Sequence, residues 1–400
     1  MEIIYLADFY MQMRMLRETR AYIVSALRST NEQLENEHIK QLERTLDQLY
    51  AIHKKNGSYI LKTHDTEEVH LELDYELGEL KKDKIYLEEG QKALEQHLAD
   101  INPNFNEELE KGLDFLGKRK FHHFITDRDG TVSNYCGRYQ SSIQAIYNAI
   151  YLSDVARKIS GKSVILTSAP LYRIGLVDIS VQPKEDFVLA GSKGRELQDE
   201  KGQQYHYPID KEQQGKLDKL NEAIEEMLEK PEFSPFRYIG SGLQYKFGQT
   251  TLARQDKNLS ISKAKSLHLK EEVQKLIQRI DPKHEHFRLE DTGKDLEIML
   301  TISKNDQVED FNKGHGIKFI AQKLELPMKE KNVLICGDTA SDLPMLKAAK
   351  EMGAQVTCIF VTTDRELQKE VARYCKDAFI LSSPDSLVSL FYHYAKQLEQ

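Results

Sequence analysis

The sequence predicts an α/β protein: a doubly wound, mostly parallel sheet carrying an inserted α/β subdomain, preceded by an all-α bundle. Three observations carry this. Leucines recur at helical spacing through residues 1–115. From about residue 120, short apolar runs alternate with helix-like segments. Between about 196 and 306 that alternation gives way to a more polar stretch with two charged helices and a Gly-rich hairpin pattern.

In the first segment, Ile39, Leu42, Leu46 and Leu49 fall three and four residues apart. Leu73, Leu77, Leu80, Leu87, Leu94 and Leu98 continue the stripe. Charged and amide residues fill the gaps, the amphipathic period of helices packed on one another. "KKNGSY" (54–59) breaks the second helix and "INPNFNEE" (101–108) stops the third. No titratable set with catalytic spacing stands out here. The expectation is a helical bundle or antiparallel coiled coil for docking, either to a second copy of the chain or to a protein partner.

The next segments, 116–195 and 307–400, read as one α/β core. "FHHFIT" (121–126), "KSVILTSA" (162–169), "DFVLAG" (186–191), "NVLICGD" (332–338), "VTCIFV" (356–361) and "DAFIL" (377–381) are short, rich in β-branched or aromatic residues, and not strictly alternating. Strands buried on both faces of a parallel sheet read this way. Helix-like segments at 140–158, 314–325 and 342–352 separate them. The insertion, 196–306, has charged helices near 211–229 and 261–280. Its hairpin-like piece is "FRYIGSGLQYKFGQTTLAR" (236–254), and strands are expected near 285–290 and 295–302.

Composition narrows the function. The 400 residues are 40% hydrophobic and 30% charged, with a net charge of −8. An acidic chain has no basic excess for general nucleic-acid binding. No apolar run approaches the length of a spanning helix, so no membrane role is expected. The N-terminus lacks the features of a signal peptide. The cysteines, Cys136, Cys336, Cys358 and Cys375, are too dispersed for a zinc knuckle or a redox pair. A reducing cytoplasm is the expected location.

In a parallel α/β sheet, ligands bind beyond the carboxyl ends of the strands. Asp127, Asp129 and Thr131 follow the first apolar run. Thr167 and Ser168 follow "VIL", and Asp338, Thr339, Ser341 and Asp342 follow "NVLIC". "FNKGHG" supplies Lys313 ahead of a helix. A calcium loop starting at Asp127 would need Asp or Asn at its fifth position and Gly at its sixth, where this chain has Thr131 and Val132. Several carboxylates facing one lysine suit a magnesium ion and a phosphate. Asp127 and Asp338 would each give the ion one oxygen, and the Asp129 carbonyl a third. Asp127 would attack phosphorus, and Asp129 would give and take the proton. Lys313 and Thr167, with Ser168 able to share the role, would hold the phosphate oxygens.

"DRDGT", "VILTS", "NKG" and "GDTASD" resemble, in order and spacing, the motifs of haloacid dehalogenase-like phosphatases. The resemblance spans roughly residues 120–390. "GSKGRE" (191–196), "GSGLQYK" (240–246) and "ICGDTASDLPML" (335–346) further resemble trehalose-6-phosphate phosphatases, nearest the nematode type with its helical N-terminal domain. The resemblance implies a Rossmann-like core with a C2-type cap. It implies Asp127 as nucleophile, Asp129 as acid/base, Thr167 and Lys313 as phosphate ligands, and Asp338 and Asp342 as metal ligands, the latter directly or through water. Many members have Glu-x-Lys where this chain has Gln244-Tyr245-Lys246. Gln244, Lys246, Glu297, Arg195 and Glu196 are therefore the candidate sugar-binding residues of the cap. The expected activity is magnesium-dependent hydrolysis of trehalose 6-phosphate. The alternatives are another glycosyl phosphate such as sucrose 6-phosphate, or a regulatory or scaffolding protein.

Overall fold

A computed structural model of the chain describes residues 2–29, 36–63, 68–256, 259–304 and 307–399. It opens with helices α1 (Leu6–Arg28) and α2 (Asn36–Tyr50). An antiparallel meander follows, of β1 (Lys54–Lys55), β2 (Ser58–Lys62) and β3 (Glu68–Leu71). Three helices complete the N-terminal part: α3 (Asp74–Glu88), α4 (Gln91–Ile101) and α5 (Phe105–Leu116). The helical bundle is present, but it is not wholly helical. "KKNGSY" does more than end α2. Asn56 and Gly57 both take positive φ, 53° and 86°. They form a two-residue turn that sets Lys55 opposite Ser58, the Asn-Gly hairpin signal.

The core then runs β4 (His123–Thr126), α6 (Ile146–Ala156), β5 (Ser163–Leu166), the single turn α7 (Leu176–Ile179), β6 (Val188–Gly191), β7 (Glu196–Gln198) and β8 (Gln204–His206). The inserted cap holds α8 (Lys211–Leu228), β9 (Leu243–Lys246), β10 (Gln249–Ala253), α9 (Lys263–Ile280), β11 (Phe287–Asp291), β12 (Asp295–Lys304) and β13 (Gln307–Asp310). The chain returns to the core through α10 (Lys313–Lys323), β14 (Asn332–Gly337), α11 (Leu343–Glu351), β15 (Gln355–Val361), α12 (Arg365–Tyr374), β16 (Ala378–Leu381) and α13 (Pro384–Gln397).

The core sheet has the order β16-β15-β14-β4-β5-β6-β7-β8. It is parallel from β16 to β6, and β7 and β8 add antiparallel at one edge. Residues 196–206, read from sequence as the start of the insertion, thus belong to the core sheet. The cap sheet is antiparallel, in the order β11-β12-β10-β9, with β13 paired to β12. β13 carries the insertion a few residues beyond 306.

Two apolar layers cover the core sheet. On one face, α10, α11 and α12 pack through residues such as Ile317, Ile320, Leu346 and Val371. The other face buries α6 and α13, and its apolar cluster continues without a break into the N-terminal helices. Phe9, Met13, Ile23, Leu98, Phe105 and Leu116 share one core with Phe124, Tyr147, Leu390 and Phe391. The leucine stripe that suggested a docking surface is therefore largely covered by this chain itself. The cap keeps its own core, around Leu220, Phe236, Leu269 and Ile298.

Candidate functional site

The sheet order decides which strand ends meet. β4 lies between β14 and β5, with Cys336 level with Thr126 and Thr126 level with Ile165. From β4 the chain winds outward through β5 and β6, then returns on the other side with β14. This reversal opens a crevice at the carboxyl ends. Asp127, Asp338 and Thr167, each just past its strand, consequently stand side by side.

Asp127 is 4% exposed. Its Oδ1 takes the Lys313 ammonium and its Oδ2 accepts from Thr131 Oγ1 at 3.2 Å. Lys313 opens α10, whose first turn is capped by Asn312 accepting from the Gly314 and His315 amides. The ammonium also reaches Asp342 Oδ1 at 2.5 Å. Asp342 Oδ2 accepts the Asp338 and Thr339 amides at 3.1 and 3.0 Å and the Thr339 hydroxyl at 3.1 Å. Both Asp342 oxygens thus already have partners that pin the "GDTASD" loop. Asp338 accepts from Thr131 Oγ1 at 3.3 Å and from Tyr135 Oη at 2.5 Å.

The electrostatics follow from burial. Burial raises the Asp127 carboxyl to about 7, with Lys313 opposing and Asp342 and Asp129 adding to the rise. Burial, Asp127 and Asp342 raise Asp338 to about 8. Burial also pushes Asp342 upward, but Lys313 and the two amides outweigh it and hold Asp342 below its usual range. Lys313 keeps its proton tightly, because the two carboxylates outweigh its burial. Three carboxyls face one ammonium, so ionising all of them would leave two negative charges uncompensated, and this mutual repulsion adds to the rise of Asp127 and Asp338. Carboxylate oxygens of Asp127, Asp338 and Asp342 lie within 4.8 Å of one another. A hard divalent cation with oxygen ligands fits this donor set and this charge.

Asp129 stands apart from that cluster. Its Oδ1 pairs with the Arg128 guanidinium and accepts from Ser142 Oγ at 3.5 Å, and its Oδ2 accepts from Thr167 Oγ1 at 3.4 Å. The Asp129 carboxylate is therefore not one of the clustered groups. Directly after the two acids the chain turns at Gly130, φ 87°. A Cβ there would lie 2.2 Å from Asp338 Oδ2 and 2.5 Å from the Tyr135 ring. Gly130→Ala should therefore cost at least about 100-fold in kcat while Tm falls only modestly, because it displaces the Asp338 carboxylate from the cluster. Steady-state kinetics beside a thermal melt check this; unchanged kcat would contradict the close packing.

These residues open into a cavity of about 930 Å³ lined by Asp127, Asp129, Thr167, Ser168, Lys313 and Asp338. The cap forms its opposite wall with Gln244, Lys246, Asp295 and Glu297. Gln244 and Lys246 are two apart on β9, as Asp295 and Glu297 are on β12, so each pair shares one face of the pleat. Thr251 of β10 lies level with both Gln244 and Glu297, which aligns the two strands across the sheet. Lys246 Nζ lies 4.0 Å from Glu297 Oε1. Burial lowers the Lys246 pKa, with Glu297 opposing.

Arg195 and Glu196 are placed elsewhere. Arg195 is 3% exposed and donates to the Gly248 and Leu300 carbonyls at 2.8 and 2.5 Å, with its guanidinium over the Phe311 ring. It ties the core sheet edge to the cap. Glu196 accepts from the Leu171 amide at 3.0 Å and from Ser192 Oγ at 2.6 Å. Both expectations are corrected by the same fact: their polar atoms are engaged by backbone and loop groups inside the fold. In the same "GSKGRE" stretch, Lys193 is the residue that reaches Glu297, at 3.1 Å.

Sequence reasoning missed Tyr135, Arg128 and the N-terminal wall of the cavity, where Tyr75, Glu79 and Lys82 of α3 lie. Only Arg128 had a visible signal, as the middle residue of "DRD".

Comparison with known proteins finds two family models that match most of the chain. The model of "Trehalose-6-phosphate phosphatase, C-terminal" matches residues 124–387. That of the "Trehalose-6-phosphate phosphatase N-terminal helical bundle domain" matches residues 5–105. The chain belongs to the trehalose-6-phosphate phosphatase family. Among trehalose-6-phosphate phosphatase relatives, a trehalose-phosphatase of Caenorhabditis briggsae is 29% identical over 431 residues, covering 96% of each chain. One of Caenorhabditis elegans is 34% identical over 268 residues, covering 66% of this chain and 60% of its own. The "Alpha,alpha-trehalose-phosphate synthase [UDP-forming] 2" of Caenorhabditis elegans is 33% identical over 330 residues, covering 78% of this chain. This chain spans about a quarter of that synthase's length, 26%.

Proposed function

We propose that this chain is a magnesium-dependent phosphatase that hydrolyses trehalose 6-phosphate to trehalose and phosphate. The observation that carries the reading is one cavity with two unlike walls. The core wall offers a buried carboxylate cluster with a lysine, and the cap wall offers a polar face suited to sugar hydroxyls. The volume lies within the usual range for small-molecule sites, about 300–1,000 Å³.

A magnesium ion held by Asp127, Asp338 and the Asp129 carbonyl would screen the phosphate charge that otherwise repels a carboxylate. Asp342, with both oxygens engaged, orients the loop and would assist in holding the ion. Asp127 attacks phosphorus as the bond to the sugar oxygen breaks, and Asp129 gives that oxygen its proton. Water then attacks the aspartyl phosphate, Asp129 takes its proton, and phosphate leaves. Lys313, Thr167 and Ser168 hold the equatorial oxygens as charge spreads over them. Gln244, Lys246 and Glu297 contact the disaccharide.

Two further observations bear on setting. Among the described residues, no helix is long and apolar enough to cross a membrane. The four cysteines are free thiols, three of them buried, which supports a reducing cytoplasm.

A sugar-phosphate panel with phosphate release as readout tests the reading. kcat/KM for trehalose 6-phosphate should exceed that for sucrose 6-phosphate and glucose 6-phosphate by at least about 100-fold. EDTA should abolish turnover and added magnesium should restore it. Equal values across the panel would refute the trehalose assignment, and activity surviving chelation would refute the metal.

A further inference from the structure

Helix α3 meets the segment between the "DRDGT" turn and α6 at five points. Tyr75 Oη lies 3.1 Å from Ser133 Oγ. Glu76, only 3% exposed, accepts from Ser141 Oγ at 2.5 Å and from Cys136 Sγ at 3.5 Å. Glu79 accepts the Ala145 amide at 2.9 Å and Asp83 the Ile146 amide at 2.7 Å. Those two amides open α6, so carboxylates from a distant helix satisfy N–H groups that a helix start leaves free.

The contacts continue toward the chemistry. Ser142 is joined to Ser141, and it accepts from Arg128 through its hydroxyl at 2.9 Å and through its carbonyl. Arg128, 2% exposed, then pairs with the Asp129 carboxylate. An unbroken path of buried contacts thus runs from Glu76 through Ser141, Ser142 and Arg128 to Asp129. The Asp129 side chain itself is 23% exposed. Its orientation is set by these partners and Thr167 rather than by packing alone.

We propose that α3 is a positioning element for proton transfer: Glu76, acting through Ser141, Ser142 and Arg128, fixes the carboxyl that protonates the leaving oxygen. The inference rests on the phosphatase reading of the site. It makes the N-terminal helices part of the catalytic apparatus. Each of these residues acts through Asp129 and none touches the reacting atoms.

The test measures kcat/KM for a series of aryl phosphates whose phenols differ in acidity, which removes the sugar from the comparison. A poor leaving group needs the proton and a good one does not. In Glu76→Ala, phenyl phosphate should lose about 10- to 100-fold more than p-nitrophenyl phosphate. Glu76→Gln keeps an acceptor for Ser141 and should recover wild-type behaviour within about threefold. Ser142→Ala, which keeps the backbone carbonyl that Arg128 also uses, should shift the series in the same direction by several-fold. Lys81→Ala, on the exposed side of α3, should leave it unchanged. If Glu76→Ala and Ser142→Ala lower every phosphate by one common factor, α3 is structural and the inference is overturned. If the wild-type protein hydrolyses neither these esters nor trehalose 6-phosphate, the underlying phosphatase reading falls instead.

Discussion

Asp127→Asn is expected to lower kcat by at least about 10⁴-fold with little change in Tm. The amide matches the carboxylate in shape, and Lys313 keeps Asp342 as its partner at 2.5 Å, so no buried ammonium is orphaned. The retained amide oxygen can face Lys313, while the amide nitrogen donates to Thr131 Oγ1, whose proton still goes to Asp338 at 3.3 Å. What disappears is the nucleophile and one anionic ligand of the proposed cation. Phosphate-release assays on purified variant and wild-type protein, with circular dichroism melts alongside, give the answer. Residual turnover above a few per cent would remove Asp127 from the nucleophile's role.

Deleting residues 1–115 should yield protein that aggregates or melts without a cooperative transition. The apolar cluster under α6 and α13 includes Leu6, Phe9, Met13, Ile23, Leu98, Phe105 and Leu109, all from the deleted part. Each buried side chain of this size contributes about 1.5–3 kcal/mol, whereas a whole domain is stable by only about 5–15 kcal/mol. The deletion also strips charge partners from the remaining core. Asp385 loses Lys82, at 2.8 Å, and the start of α6 loses Glu79 and Asp83. Phe105→Ala, at a side chain with no exposure, is the milder version and should cost about 3–5 kcal/mol in urea unfolding. A soluble, cooperatively folded deletion with unchanged kcat would refute both the shared core and the role proposed for α3.

Much of the site was legible because its chemistry is local. Asp127 and Asp129 lie in one turn, Asp338 and Asp342 in another, and each follows an apolar run. The rule that parallel strands present ligand sites at their carboxyl ends then groups them without coordinates. Gln244 and Lys246 were legible as a pair because residues two apart on a strand share a face. Arg195 and Glu196 were misplaced because a charged residue beside a glycine turn reads alike whether it faces ligand or backbone. Tyr135 carried no signal at all, since its contact with Asp338 spans about two hundred residues of chain.

The N-terminal part shows the same division. Its 3.6-residue period gave helices, and the Leu73, Leu80, Leu94 and Leu98 positions are buried as that period requires. The period could not reveal that Glu76, Glu79, Lys82 and Asp83 are buried on α3 as well. A charged residue enters the interior only where a partner awaits it, and these partners lie on α1, α6, α13 and the loop beyond "DRDGT".

Alone, the sequence determined which carboxylates, hydroxyls and lysine follow the strand ends and are proposed to attack, move protons and hold phosphate, because spacing along a strand or helix is a local property. Only the tertiary structure decided that β4 separates β14 from β5, that the cap face lies opposite the carboxylates, and that a helix from the first hundred residues reaches the acid/base turn. Those are decisions about neighbours, and burial of apolar surface with complete pairing of buried charge selects among them only when the whole chain has closed.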